Sequence, residues 1–332
     1  MSFGDTKAQI GYSPSLALFE KPSINTGVLS HKWIQHRSIS QTTSGVLEFS
    51  IPPTSNTYVN LKCTTLQITG KIVDEHGKDI TDADSVVVAN APLHSMWRQI
   101  DLTIQNKLVT SEVGPHYAYK GYLDLLLNST PKMTDYQLTS QLFYKDIAGL
   151  MEDLDNLQGG LLVRKESAKE SKLIQLQGPL CLDMCQQDRY ILNSVPMHLK
   201  LWPSKEDFFL MSKDGSKNFK FLMTEAFLNV CMVEVSPAIL VGHAAGLKIA
   251  PALYPFFESQ IIVHDIAEKS YRFSLDNLFQ GEVPAEIIVA LVSAEAFSGD
   301  YSSNPFNFQH FNCNSRSEER RVGKECRSRW SP

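Results

Sequence analysis

Hydrophobic and polar residues alternate along most of this chain with the side-chain period of a β-strand, and one central region switches to helical spacing. Val46-Leu47-Glu48-Phe49-Ser50-Ile51 alternates and stops at Pro52-Pro53. Tyr58 to Val73 reads as a long strand through Leu61, Cys63, Leu66, Ile68 and Ile72, with Glu75-His76-Gly77-Lys78 as its turn. Val86-Val87-Val88 is a short apolar strand. Ile100, Leu102 and Ile104 alternate with Asp101 and Thr103, so this strand has one buried face. Gln105-Asn106 reads as a tight turn, and Lys107 to Thr110 as the returning strand. After Gly114-Pro115 the spacing becomes helical, with Tyr119, Tyr122, Leu123, Leu126 and Leu127 on one face. Two helices are expected, over 116–128 and about 132–155. Gly159-Gly160 breaks the pattern, and Arg164 to Lys172 reads as a charged, exposed loop. Strands resume at Leu173–Leu176, Pro179–Leu182 and Val195–Trp202, and Pro203 ends the last.

The polar stretch Ser204 to Asn218 then separates this unit from a pattern that begins again. Strands are expected at Lys220–Val235, Gln260–Asp265, Ser270–Leu275 and Ile287–Ser293, with a short helix after Ser236-Pro237. A chain of this length exceeds a comfortable single core, so two domains are expected. Successive strands lack intervening helices, which excludes a parallel α/β sheet. The expected class is all-β with helical insertions. The expected architecture is a double jelly-roll β-sandwich, one of the few arrangements that limits exposed edges among about eight antiparallel strands. Residues 1–30 form an N-terminal arm in this reading, and 31–205 a first jelly roll with its helical insertion at about 116–157. Residues 206–218 are a linker, and 219–315 begin a second jelly roll that is incomplete.

The ends modify this picture. From Arg316 the chain reads RSEERRVGKECRSRWSP, abruptly basic and polar, and 316–332 is identified as the conceptual translation of a sequencing adapter. The natural protein is therefore expected to continue past Ser315. Taking the tail's six Lys/Arg and three Asp/Glu from totals of 31 and 36 leaves 25 basic and 33 acidic residues, a net charge of −8. That acidic body carries no electrostatic footprint for nucleic acid, and no specific nucleic-acid binding is expected. The N-terminus lacks a secretory signal pattern and no apolar run approaches a membrane span, so synthesis in the cytosol is expected. Cys63, Cys181, Cys185, Cys231 and Cys313 are an odd number with no C-x-x-C, which argues against a disulfide framework. Cys181 and Cys185 read as buried free thiols rather than a metal pair.

Motifs for chemistry are missing. The chain has no phosphate-binding glycine loop, no zinc-protease helix, no nucleophile elbow and no H-x-H pair of the kind a metal-binding jelly roll carries. His94, His198 and His264 lie near apolar strands and read as satisfied core or edge histidines. No catalytic residue, cofactor or metal site is expected, and the protein reads as a non-enzyme. Aromatic residues crowd the helical insertion. They serve either as a local core or as a subunit interface, where aromatics are enriched. Trp97, Arg98, Tyr119, Tyr122, Phe143 and Tyr144 are the candidate subunit-interface residues.

The runs PLHSMWRQIDLTIQNKLVT, YAYKGYLDLLLN and FYKDIAG resemble the double jelly-roll major capsid proteins of Polinton (Maverick) elements and adintoviruses. LQGPLCLDMCQQDRYILNSVPMHLKLW at 176–202 is similar to the close of that family's first jelly roll. DNLFQGEVPAEIIVALV at 276–292 and NPFNFQHF at 304–311 are similar to the opening of its second. The resemblance implies homotrimers of pseudo-hexagonal outline that tile an icosahedral virion capsid beside a penton or minor capsid protein. A single jelly-roll penton or minor capsid protein is the first alternative, and a jelly-roll carbohydrate-binding protein the second.

Overall fold

The computed structural model describes residues 26–313 apart from 41–44, 82–83, 111–113, 214–216, 269, 271–272, 276–277 and 279–283. Its strands are β1 (Val28–Arg37), β2 (Leu47–Ile51), β3 (Thr57–Asp74), β4 (Val86–Val88), β5 (Trp97–Ile104), β6 (Lys107–Leu108), β7 (Ile174–Pro179), β8 (Met197–Pro203), β9 (Leu210–Ser212) and β10 (Phe219–Val235). The helices are α1 (Pro92–Ser95), α2 (Tyr117–Asn128), α3 (Gly159–Ala168), α4 (Asp183–Gln186), α5 (Glu206–Phe209), α6 (Pro237–Gly246) and α7 (Ala294–Ser298).

Strands β4 and β9 pair with each other, and the other eight pair in nested order. The first pairs with the last (β1·β10), the second with the seventh (β2·β8), the third with the sixth (β3·β7) and the fourth with the fifth (β5·β6), all antiparallel. Two further pairings, β10·β3 and β5·β8, join these ribbons into the sheets β1-β10-β3-β7 and β2-β8-β5-β6. A long antiparallel ribbon rolled into two facing four-stranded sheets is a jelly roll. Alternation does what the sequence pattern requires. Leu47, Phe49 and Ile51, Ile100 and Leu102, and Met197, Leu199 and Leu201 face Leu66, Ile68, Ile72, Leu176, Leu228 and Val230 across the core.

Local turn chemistry agrees with the expected hairpin. Gln105 and Asn106 both have positive φ, 49° and 65°, as a two-residue primed turn between β5 and β6 demands. The turn after β3 is closed by Asp74, whose carboxylate accepts from the His76 and Lys78 amides, with Gly77 at φ 80°. In the insertion, α2 forms as expected, but 132–155 yields only one π turn and one 3-10 turn, over Met133–Gln137 and Leu138–Gln141. Left-handed Leu142 ends the second of them. Arg164 to Lys172 is not an exposed loop: 159–168 is helix α3, and Arg164 is fully buried.

The expected domain division is also corrected. The strand at 219–235 opens no second unit; it is the interior strand β10 of the first sheet, bonded on both sides by β1 and β3. Residues 206–218 are not a bare linker, since α5 and β9 lie there. Beyond Val235, α6 forms as expected. The anticipated strands at 260–265, 270–275 and 287–293 have no sheet partner among the described residues. Tethers hold parts of this stretch against the sandwich. Arg189 Nη1 donates to the Leu253 carbonyl at 2.5 Å, and Asp183 accepts from the Ser259 amide and hydroxyl at 2.7 and 2.9 Å. The expected arm at 1–30 falls largely outside the described residues, with 28–30 already in β1; the expected adapter tail at 316–332 lies wholly outside them.

Candidate assembly surface

Several buried polar groups are engaged with one another, while Ser95 Oγ, Trp97 Nε1, Tyr119 Oη and Arg164 Nη1 have no hydrogen-bond partner among the described residues. His94, on α1, has no exposure. Its Nε2 meets the Gln141 side-chain oxygen at 2.8 Å and its Nδ1 the Tyr117 hydroxyl at 2.9 Å. With Gln141 accepting, Nε2 carries the proton and Nδ1 accepts from Tyr117, whose oxygen takes the Cys181 amide at 3.2 Å. Burial lowers the His94 pKa to about 4, so the ring is neutral, a satisfied core histidine. Lys120 sits between Asp124 and Asp183 at 2.6 and 3.0 Å. Burial opposes its charge, and the two carboxylates reverse that effect and raise its pKa. Arg164 holds both oxygens of Asp146 at 2.8 and 3.0 Å and the Val88 carbonyl at 2.9 Å, while Asn90 donates to the same carboxylate. Burial pushes the Cys181 and Cys185 thiols up to about 12 each, so both are protonated and free. Among the described residues no group of three or more His, Cys, Asp or Glu side chains comes together to hold a metal.

The structure relocates most of the residues anticipated at an interface. Trp97, Tyr119, Tyr122 and Phe143 are buried within the chain. Tyr122 stacks on Phe306 with ring centres 4.2 Å apart, and Tyr119 stacks on Phe297 at 5.6 Å. Tyr119, Tyr122 and Phe143 form the local core of the insertion, closed by α7 and the segment at 304–308, while Trp97 is buried in the sandwich on β5. Large rings at helical spacing bury more area than any exposed site offers them. Of the six, Arg98 is exposed and Tyr144 half-buried.

The surface available for association lies elsewhere. β1 is an edge strand whose sheet neighbour is β10. The opposite edge, β7, is capped by the Ser140 hydroxyl, which donates to the Gln177 carbonyl. β1 carries no such cover among the described residues, and Leu29 and Trp33 are 58% and 60% exposed on it. The outer face of its sheet is a wall of mostly uncharged polar residues. Gln35, Asn229 and Thr65 stand in one cross-strand row, and Arg37, Phe227, Gln67 and Gln177 in the next. The rows are knit together: Asn229 donates to Gln67, Gln177 donates to Thr65, and the Arg37 guanidinium lies 5.4 Å over the Phe227 ring. Depletion of charge with retained hydrogen-bonding capacity is the composition of an interface centre. A second apolar surface runs along the unpaired stretch after α6, where Leu247, Ile249, Leu253, Phe257, Ile288 and Val289 are exposed.

Sequence reading missed β1, because VLSHKWIQHR mixes apolar and charged residues on both faces. The remaining signal was its punctuation, Gly27 before it and the polar run from Ser38 to Gly45 after it.

No family model matches the chain. The uncharacterized protein F54H12.2 of Caenorhabditis elegans is 26% identical over 301 residues, which span 87% of this chain and 70% of that protein. Among solved structures, a chain of the Sputnik virophage superposes with a TM-score of 0.45 at 14% identity, over 69% of this chain and 53% of its own length. The Faustovirus major capsid protein gives a TM-score of 0.41 at 8% identity, over 68% and 58%. The chain thus spans little more than half of either viral protein.

Proposed function

We propose that this chain is a structural subunit of a viral or virus-derived icosahedral capsid, of the Polinton and adintovirus type, acting as a homotrimer of pseudo-hexagonal outline. A closed jelly roll followed by a second strand-patterned stretch with its apolar residues uncovered carries the reading. A second sandwich would bury Leu247, Ile249, Phe257, Ile288 and Val289 against strands of its own, and two sandwiches per chain give a trimer six similar walls. The ordered sequence resemblance supports a structural rather than an enzymatic role. Neighbouring capsomers and a penton or minor capsid protein are the proposed partners, and the virion capsid is the proposed location.

The test is the mass and outline of the protein expressed from the full open reading frame of its source, by light scattering and negative-stain microscopy. Particles of three protomers with a hexagonal outline are expected. A monomer at assembly concentrations overturns the reading. The wall on β1 has its own test. Trp33→Glu should leave the thermal melt of the chain unchanged and weaken association by ~30-fold or more, the loss typical of a central anchor. Unaltered association would remove β1 from the interface.

A further inference from the structure

Strand β3 carries an expansion at 61–64. Asn229 of β10 opposes Thr65, but Cys231, two residues further along β10, opposes Asn60, so β3 uses five residues where β10 uses two. The extra residues are held in one conformation. Thr64 Oγ1 accepts from the Cys231 amide at 3.4 Å and donates to the Asn60 carbonyl at 2.9 Å. The Asn60 side chain accepts from the Cys63 amide at 3.3 Å and donates to Cys63 Sγ at 3.4 Å. From the other side Trp33, the β1 residue opposite Cys231, donates its indole N–H to the Cys63 carbonyl at 3.3 Å. Both strands flanking Cys231 therefore hold Cys63 beside it. Cys63 is exposed and Cys231 is buried. Burial and then the neighbouring Cys63 raise the Cys231 thiol, which keeps it protonated while Cys63 stays reachable from solvent.

We propose that Cys63 and Cys231 are a thiol pair that closes into a reversible disulfide on meeting a small-molecule disulfide such as oxidised glutathione. The Cys63 thiolate attacks one glutathione sulfur, and the glutathione S–S bond breaks to release one glutathione thiolate. Cys231 then loses its proton and attacks the Cys63 sulfur, releasing the second glutathione. Two protein thiols are oxidised, one glutathione disulfide is reduced, and two protons and two glutathione thiolates leave as two glutathiones. An exposed attacking thiol with a resolving thiol beside it is the arrangement of redox-responsive sites. The other two buried thiols, Cys181 and Cys185, are closed to this chemistry. The product would clamp the β3 expansion to the sheet's interior strand, directly beneath Trp33 on the edge.

The experiment incubates the full chain with oxidised glutathione and maps the products by peptide mass spectrometry without reduction. The expected product is one peptide pair linking Cys63 to Cys231, lighter by two hydrogens, restored by dithiothreitol. Tryptophan emission should fall as the disulfide forms next to Trp33 and recover on reduction. Cys231→Ser should stop at a glutathione adduct on Cys63, and Cys63→Ser should leave Cys231 unmodified. Persistence of the Cys63 adduct in the unsubstituted chain, or Cys63–Cys63 links between chains, overturns the proposal.

Discussion

Arg164 has the environment furthest from what its sequence neighbours suggest. In RKESAKESK it reads as one solvated charge among many, yet it is fully buried and bidentate to Asp146. Removing one member of such a pair leaves a buried, uncompensated charge. Arg164→Met should therefore lower the unfolding free energy by about 3–5 kcal/mol in denaturant titration, whereas Glu166→Met, two residues on and exposed, should be near neutral. His94 gives a second prediction. Its folded pKa of about 4 lies below the unfolded value near 6.5, so between those pH values the unfolded chain binds the extra proton. That contribution to stability is complete above pH 6.5 and is lost as pH falls toward 4, by roughly 3 kcal/mol in total. The difference in unfolding free energy between the chain and His94→Gln should shrink across that window; a constant difference would mean the ring binds its proton equally in the folded and unfolded chain. His94 was legible as a satisfied core histidine because its apolar surroundings are local in sequence. Arg164 was not, because its partner lies 18 positions away, in a segment without regular pattern.

Among the elements, the strands whose alternation is strict were readable: β2, β3 and β8 fall within a residue or two of their expected bounds, and β5 begins three residues before Ile100, at Trp97. β10 was also located correctly, but its membership was not. Alternation reports which residues face a core, and carries nothing about which strand lies alongside. A polar stretch before Phe219 looked like a boundary, yet the chain crosses it and returns to the middle of the sheet it had left. Two substitutions probe this level. The added Cβ of Gly70→Ala would lie 2.7 Å from the Leu222 carbonyl oxygen and 2.6 Å from the Phe221 ring, where β10 shifts register. A loss of about 1–3 kcal/mol is expected in thermal or denaturant melts. Gln105→Asn acts in the opposite sense. Gln105 occupies the left-handed region in the β5–β6 turn, which asparagine tolerates better, and a gain of roughly 1 kcal/mol is expected by the same measurement.

For the whole molecule, nested pairing sets the order of events during synthesis. The first sheet strand and the last are neighbours, and the last lies in the interior of its sheet. From Arg37 to Phe219 the ribosome must deliver the whole intervening chain before β1 has anything to pair with. At ordinary elongation rates that interval is roughly ten to forty seconds. Throughout it, β1 hangs free and β3 presents its open edge, both able to recruit strands from other nascent chains. Insertion of β10 between them closes the edge of β3 and anchors β1, leaving only the outer side of β1 open, so the committing step of folding comes late and is non-local, and slow closure follows from the topology itself. A polysome making many copies of this chain side by side faces this hazard at its greatest, and a nascent-chain chaperone that shields β1 and β3 until residue 235 emerges should raise the soluble yield.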